Sequence, residues 1–180
     1  SPEGGTVQIR VPFSDAGVLD PAQSAGFIDW GDGFGAEEAQ LIEEEGLWYV
    51  VGQHKYSDDG VRTVNITVKD NAGDTGSDAF ELSVVNVAPE LTVHGPEFVV
   101  SGEPYTLELD WTDAGADNVT QWIVNWGDGG EPVTVEANTE GPTVLVHTYL
   151  TDETRSVDIV ATAVDEDGEW TAETLTLEVR

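Results

Sequence analysis

The sequence predicts an all-β protein made of two tandem copies of one strand-rich module, and three observations carry that prediction. The stretch Ile28-Asp29-Trp30-Gly31-Asp32-Gly33 returns as Val124-Asn125-Trp126-Gly127-Asp128-Gly129. His54-Lys55-Tyr56 returns as His147-Thr148-Tyr149. The segments around these markers alternate apolar and polar residues with the period of two that belongs to half-buried strands. Further pairs keep the same order: Phe13-Ser14-Asp15-Ala16-Gly17 matches Trp111-Thr112-Asp113-Ala114-Gly115, and Lys69-Asp70-Asn71-Ala72-Gly73 matches Val164-Asp165-Glu166-Asp167-Gly168. The repeat divides the 180 residues into modules at 1–87 and 88–180, each of about 90 residues, a size that suits a small β-sandwich.

Taken in order, Val7, Ile9, Val11 and Phe13 alternate with polar neighbours, and Tyr105, Leu107, Leu109 and Trp111 repeat the pattern, so each set forms the inward face of one strand. The next strand turns Ile28 and Trp30 inward in the first copy, and Trp122, Val124 and Trp126 in the second. It breaks at Gly-Asp-Gly because glycine supplies positive φ and aspartate bonds nearby backbone amides. Ala36 to Glu45 is rich in Ala and Glu, yet the module's order requires a hairpin return there, so it reads as strand and loop. Leu47 to His54 and Thr143 to His147 follow as strands. Val64, Ile66 and Val68 then match Ile159, Ala161 and Ala163 as central strands, and Phe80, Leu82 and Val84 match Leu175, Leu177 and Val179 on one face of the last strand. The second copy opens with a strand at Leu91 to His94, after Asn86-Val87-Ala88-Pro89. The first copy has no counterpart of that strand, and the junction, short and proline-containing, predicts a semi-rigid rod.

The order Trp-Gly-Asp-Gly, His-x-Tyr, then Val-x-Val-x-Asp-x-x-Gly resembles the signature of the PKD domain over nearly the whole chain. The resemblance implies two tandem immunoglobulin-like β-sandwiches, the first N-terminally truncated and lacking its initial strand. It also implies an extracellular or cell-surface setting in which such modules act as spacer, adhesive or accessory parts. One fold hosts many functions, so the resemblance names no ligand.

Composition narrows the partners. Acidic residues outnumber basic ones 36 to 6, for a formal net charge of -30, and such a surface repels nucleic acid and anionic headgroups. It also repels itself, which predicts dependence on cations, either in a calcium-containing exterior or in a high-salt habitat. There is no cysteine, so no disulfide framework and no thiolate metal site can be drawn. No stretch approaches the roughly 20 apolar residues of a membrane span. The start, Ser1-Pro2-Glu3-Gly4-Gly5, has neither a basic nor an apolar segment and reads as the beginning of a fragment.

Carboxylates concentrate in two loops that lie at the same end of an immunoglobulin-like sandwich. In the second copy these are Asp113 and Asp117 in one loop with Asp165 and Asp167 in the other, and Asn86 at the junction is expected at that end. Calcium takes six to eight oxygen ligands from such flexible loops, and some PKD domains that this chain resembles bind calcium at this pole. The first copy offers Asp15, Asp20, Asp70 and Asp74, a weaker set because Ala72 stands where the second copy has Asp167. The competing reading is that aspartate is common in these loops because it caps turns. Asp165-Glu166-Asp167-Gly168 is not an EF-hand loop, since its twelfth position is Thr176.

Trp30 and Trp126 are expected to plug the sandwiches, Asp32 and Asp128 to tie the turns, and His54 and His147 to pack beside Tyr56 and Tyr149. With 36 acidic residues, pairs of carboxylates can be drawn anywhere and carry no catalytic information. The sequence therefore points to a non-enzymatic stalk, spacer or adhesive module, its partner a protein or polysaccharide of the cell surface or matrix, stiffened by calcium at the junction. The alternatives are a carbohydrate- or matrix-binding accessory module of a secreted hydrolase and a subunit of a surface lattice or fibre. A planar row of exposed Trp or Tyr would favour sugar binding, and Trp48, Tyr49 and Trp170 are the aromatics not assigned to a core.

Overall fold

A computed structural model describes residues 1–15 and 19–180; the Ala16-Gly17 part of the first copy's repeat match lies outside the described residues. Among these the protein is all-β, without a helix. The chain divides into two compact units, Ser1–Asn86 and Val87–Arg180.

In unit 1, β1 (Thr6–Phe13), β2 (Ala25–Asp29), β3 (Ala36–Glu44), β4 (Leu47–Lys55), β5 (Gly60–Lys69) and β6 (Thr75–Val84) hydrogen-bond in the order β1-β4-β3-β2-β5-β6. The Ala- and Glu-rich stretch is a continuous strand, and its loop is only Glu45-Gly46. These two residues carry φ of 52° and 81°, the paired positive values that a two-residue hairpin turn requires to match strand twist. The core gathers Val7, Ile28, Trp30, Val50, Tyr56, Val64, Ile66 and Val84.

Unit 2 contains β7 (Glu90–His94), β8 (Phe98–Val99), β9 (Pro104–Thr112), β10 (Gln121–Asn125), β11 (Val133–Glu136), β12 (Thr143–Thr148), β13 (Arg155–Val164), β14 (Glu169–Thr171) and β15 (Leu175–Val179). They form two sheets, β12-β9-β7 and β11-β10-β13-β15-β8, with β14 paired to β13. This division of strands between two sheets is that of an immunoglobulin-like sandwich. The alternation read from sequence is realised: Tyr105, Leu107 and Leu109 on β9 are buried against Val157, Ile159, Ala161 and Ala163 on β13, and against Leu177 and Val179 on β15.

One inward assignment needs correction. Phe80 on β6 is 36% exposed, because β6 is the last strand of its sheet and has a neighbour on one edge only. Trp111, like Ile9, Val11 and Phe13 in unit 1, is half-buried and packs against its core.

Candidate functional site

The Gly-Asp-Gly turn and the His-x-Tyr strand end meet in both units and build the same arrangement. Trp30 and Trp126 end the strand before the turn and are 1% and 5% exposed. His54 stacks on Trp30 with ring centroids 5.0 Å apart, and His147 stacks on Trp126 at 4.6 Å. His54 Nε2 lies 2.7 Å from Asp32 Oδ2, and His147 Nε2 lies 2.8 Å from Asp128 Oδ2. The other carboxylate oxygen of each aspartate accepts a turn amide, Phe34 N–H at 3.2 Å and Gly130 N–H at 3.0 Å. Tyr56 and Tyr149 donate their hydroxyls to the carbonyls of Trp30 and Trp126 at 2.8 and 3.0 Å. One cluster thus ties the hairpin turn, the core tryptophan and the following strand together.

Electrostatics follow from this packing. The Asp128 carboxyl is held below its ordinary value, first by the Gly130 amide and then by His147, with partial burial opposing both. Burial pushes the Tyr149 hydroxyl well up, and Tyr105 adds to it. Tyr56 is raised by burial and then by Asp32. Among the described residues no serine or threonine hydroxyl hydrogen-bonds to either histidine. The repeat of the two histidines made their packing legible. Their bond to the aspartates 22 and 19 residues upstream was missed, although the Gly-Asp-Gly and His-x-Tyr motifs recur together.

The acidic loops are built as capped turns. Asp165 Oδ1 accepts from Asp167 N–H at 2.9 Å and Gly168 N–H at 2.8 Å, while its Oδ2 accepts from the Trp170 indole at 2.6 Å. Asp113 Oδ1 accepts from Gly115 N–H at 2.6 Å, whereas its Oδ2 is buried with no hydrogen-bond partner among the described residues. Asp117 lies in the same β9–β10 loop as Asp113, and Asn86 is the last residue of unit 1. Asp113, Asp165 and Asp167 do not bring ligand oxygens within 4.8 Å of one another as a group of three.

In unit 1, Asp70 Oδ1 accepts from Ala72 and Asp74 N–H at 2.9 and 2.7 Å. Asp20 accepts from Ala22 N–H at 3.0 Å and from the Gln23 amide at 2.6 Å. Asp15, Asp70 and Asp74 share a groove of about 440 Å³, and Asp20 is linked to that side by its N–H to Asn71 Oδ1 at 3.2 Å. Sequence reading missed Glu3 and Asp58, whose carboxylate oxygens approach within 4.8 Å inside unit 1; no motif marks either residue.

Of the unassigned aromatics, Tyr49 is covered by the Arg10 guanidinium at 3.8 Å, Trp170 is tied to Asp165, and Trp48 is half-buried. No protein-family model matches the chain, and no curated protein does. Among solved structures, the chain is similar to the PKD domain of an M14-like peptidase from a Thermoplasmatales archaeon, at 28% identity over 49% of this chain and 89% of that one, TM-score 0.36. It is also similar to an amphioxus IgVJ-C2 molecule, at 14% identity over 98% of both chains, TM-score 0.46. A tetra-tandem repeat from the extending region of a large adhesion protein matches at 17% identity over 97% of this chain and 50% of that one, TM-score 0.48.

Proposed function

We propose that the chain is a non-catalytic tandem of PKD-like modules serving as a stalk or spacer segment of a secreted or cell-surface protein. The observation that carries this reading is the Trp-His-Asp-Tyr cluster, repeated with nearly the same distances in both units and directed wholly at the fold's own turn and strand. A group devoted to holding a module together, present once per module, is what a load-bearing repeat needs. The spacer reading is preferred to the sugar-binding alternative because Trp48, Tyr49 and Trp170 are each half-buried, Tyr49 lying under the Arg10 guanidinium and Trp170 donating to Asp165.

Calcium belongs to the same proposal. Asp113 supports it, since a buried carboxylate oxygen without a hydrogen-bond donor is costly unless a cation or water satisfies it. Asp165 supports it less, both its oxygens being already engaged by the turn. Single-molecule extension of the chain tests the spacer role: two unfolding events of comparable force are expected, and Trp126→Ala is expected to weaken one and spare the other. Extension at negligible force in both units would overturn the reading.

A further inference from the structure

Two tripeptides of the form Asn-x-Thr stand in the chain, Asn65-Ile66-Thr67 in unit 1 and Asn118-Val119-Thr120 in unit 2. In both, the asparagine is exposed and the middle residue is buried, Ile66 at 4% and Val119 at 1% exposure. This is the acceptor pattern for N-linked glycans, which attach where such a tripeptide lies at the surface of a secreted protein. Alternation along a half-buried strand produces the same polar-apolar-polar order without any such use. The local backbone tells the two sources apart.

Asn65 lies inside β5 with ladder partners on both sides, Asp29 on β2 and Ala79 on β6, so strand alternation accounts for its tripeptide. Asn118 lies in the loop between β9 and β10, outside every strand, where alternation accounts for nothing. Buried Val119 anchors this loop in the core of unit 2 and leaves Asn118 and Thr120 exposed on either side of it. Asn118 Nδ2 donates to the Ala116 carbonyl at 2.8 Å. A primary amide carries two hydrogens, so one can be replaced while the other keeps this bond. The Thr120 hydroxyl donates to the Val164 carbonyl at 3.1 Å, and the same carbonyl accepts Thr120 N–H at 2.8 Å. The carbonyl therefore stays satisfied when the hydroxyl swings toward an enzyme.

We propose that Asn118 is the acceptor of an N-linked glycan. The proposal rests on the secreted or cell-surface reading above, since this modification belongs to exported chains. The donor is a saccharide joined through its C1 to a lipid phosphate or pyrophosphate. Asn118 Nδ2 bonds to that C1, and the C1–O bond to phosphate breaks. The phosphate leaves with the electron pair, and the amide gives one proton to a base of the transferring enzyme. The single hydrogen left on Nδ2 continues to donate to Ala116.

The test takes the protein from the surface or culture medium of the cells that produce it. Proteolysis and mass spectrometry are expected to find the peptide containing Asn118 heavier by whole sugar residues. Amidase release in heavy-oxygen water is expected to leave a labelled carboxylate at that position. Asn118→Gln should remove the added mass, and so should Thr120→Ala, which keeps the asparagine, whereas Thr120→Ser should retain it. If Asn118→Gln fails to leave the cell, the two Thr120 variants decide. An exported chain bare at Asn118, sugar at Asn65 alone, or sugar persisting in Thr120→Ala would each overturn the proposal and leave the spacer reading standing. A chain retained inside the cell would overturn the secreted reading and the glycan with it.

Discussion

At the scale of single residues, the aspartate of Gly-Asp-Gly does two jobs with its two oxygens, capping the turn with one and anchoring histidine with the other. Because the Asp128 carboxyl is held below its ordinary value of 3.8, the stability it contributes is complete above that pH and is lost as pH falls through the lowered value. Acid unfolding of unit 2 should therefore carry a component below pH 3.8 that Asp128→Asn removes, as followed by tryptophan fluorescence. An acid limb identical in the variant would show that the pair does not couple to folding. Tyr149→Phe deletes the hydroxyl that satisfies the Trp126 carbonyl and should cost about 1 to 3 kcal/mol in denaturant unfolding. Trp126→Ala empties a large aromatic site and should cost about 3 to 5 kcal/mol.

At the scale of elements, the turn depends on two glycines with different constraints. Gly127 has φ of 73°, and a Cβ there would run into the backbone of Asp158 on β13. Gly129 has φ of 90° but open space around it. Gly129→Ala should cost about 1 to 3 kcal/mol from backbone strain alone, and Gly127→Ala distinctly more, because strand β13 must move as well. Equal losses in thermal melts would mean that the turn detaches from β13 without penalty. Gly31 meets Thr63 on β5 in the same way, so the constraint is a property of the module. The strands themselves were legible where period-two alternation met a buried face, as on β9 and β13. Phe80 misled because alternation states which residues share a face and not whether anything covers that face.

At the scale of the whole molecule, a formal net charge of -30 makes the compact state repel itself over roughly a Debye length of 10 Å at 0.1 M salt. Sodium chloride should raise the melting temperature, and a flat response from low to moderate salt would remove the electrostatic argument. Calcium at equal ionic strength should raise it further if Asp113 takes part in a specific site. Titration calorimetry on wild type and Asp113→Asn separates the two effects. A heat that survives Asp113→Asn unchanged would move the site elsewhere, and no heat at all would leave only screening.

The sequence by itself determined the class of the fold and the repeat, because both are written in local pattern: apolar alternation, glycines where φ must be positive, and markers returning in the same order. It also placed Trp30 and Trp126 in the core, since a large apolar ring ending a buried strand has nowhere else to go. The turn-capping of Asp32 and Asp128 was legible as well, whereas only the tertiary structure decided which distant partners the polar side chains take. Whether Asp165 faces solvent, a cation or the Trp170 indole depends on which donors the fold brings within about 3 Å, and spacing along the chain does not specify that. The same holds for Asp32 with His54 and Asp128 with His147, pairs separated by a whole hairpin.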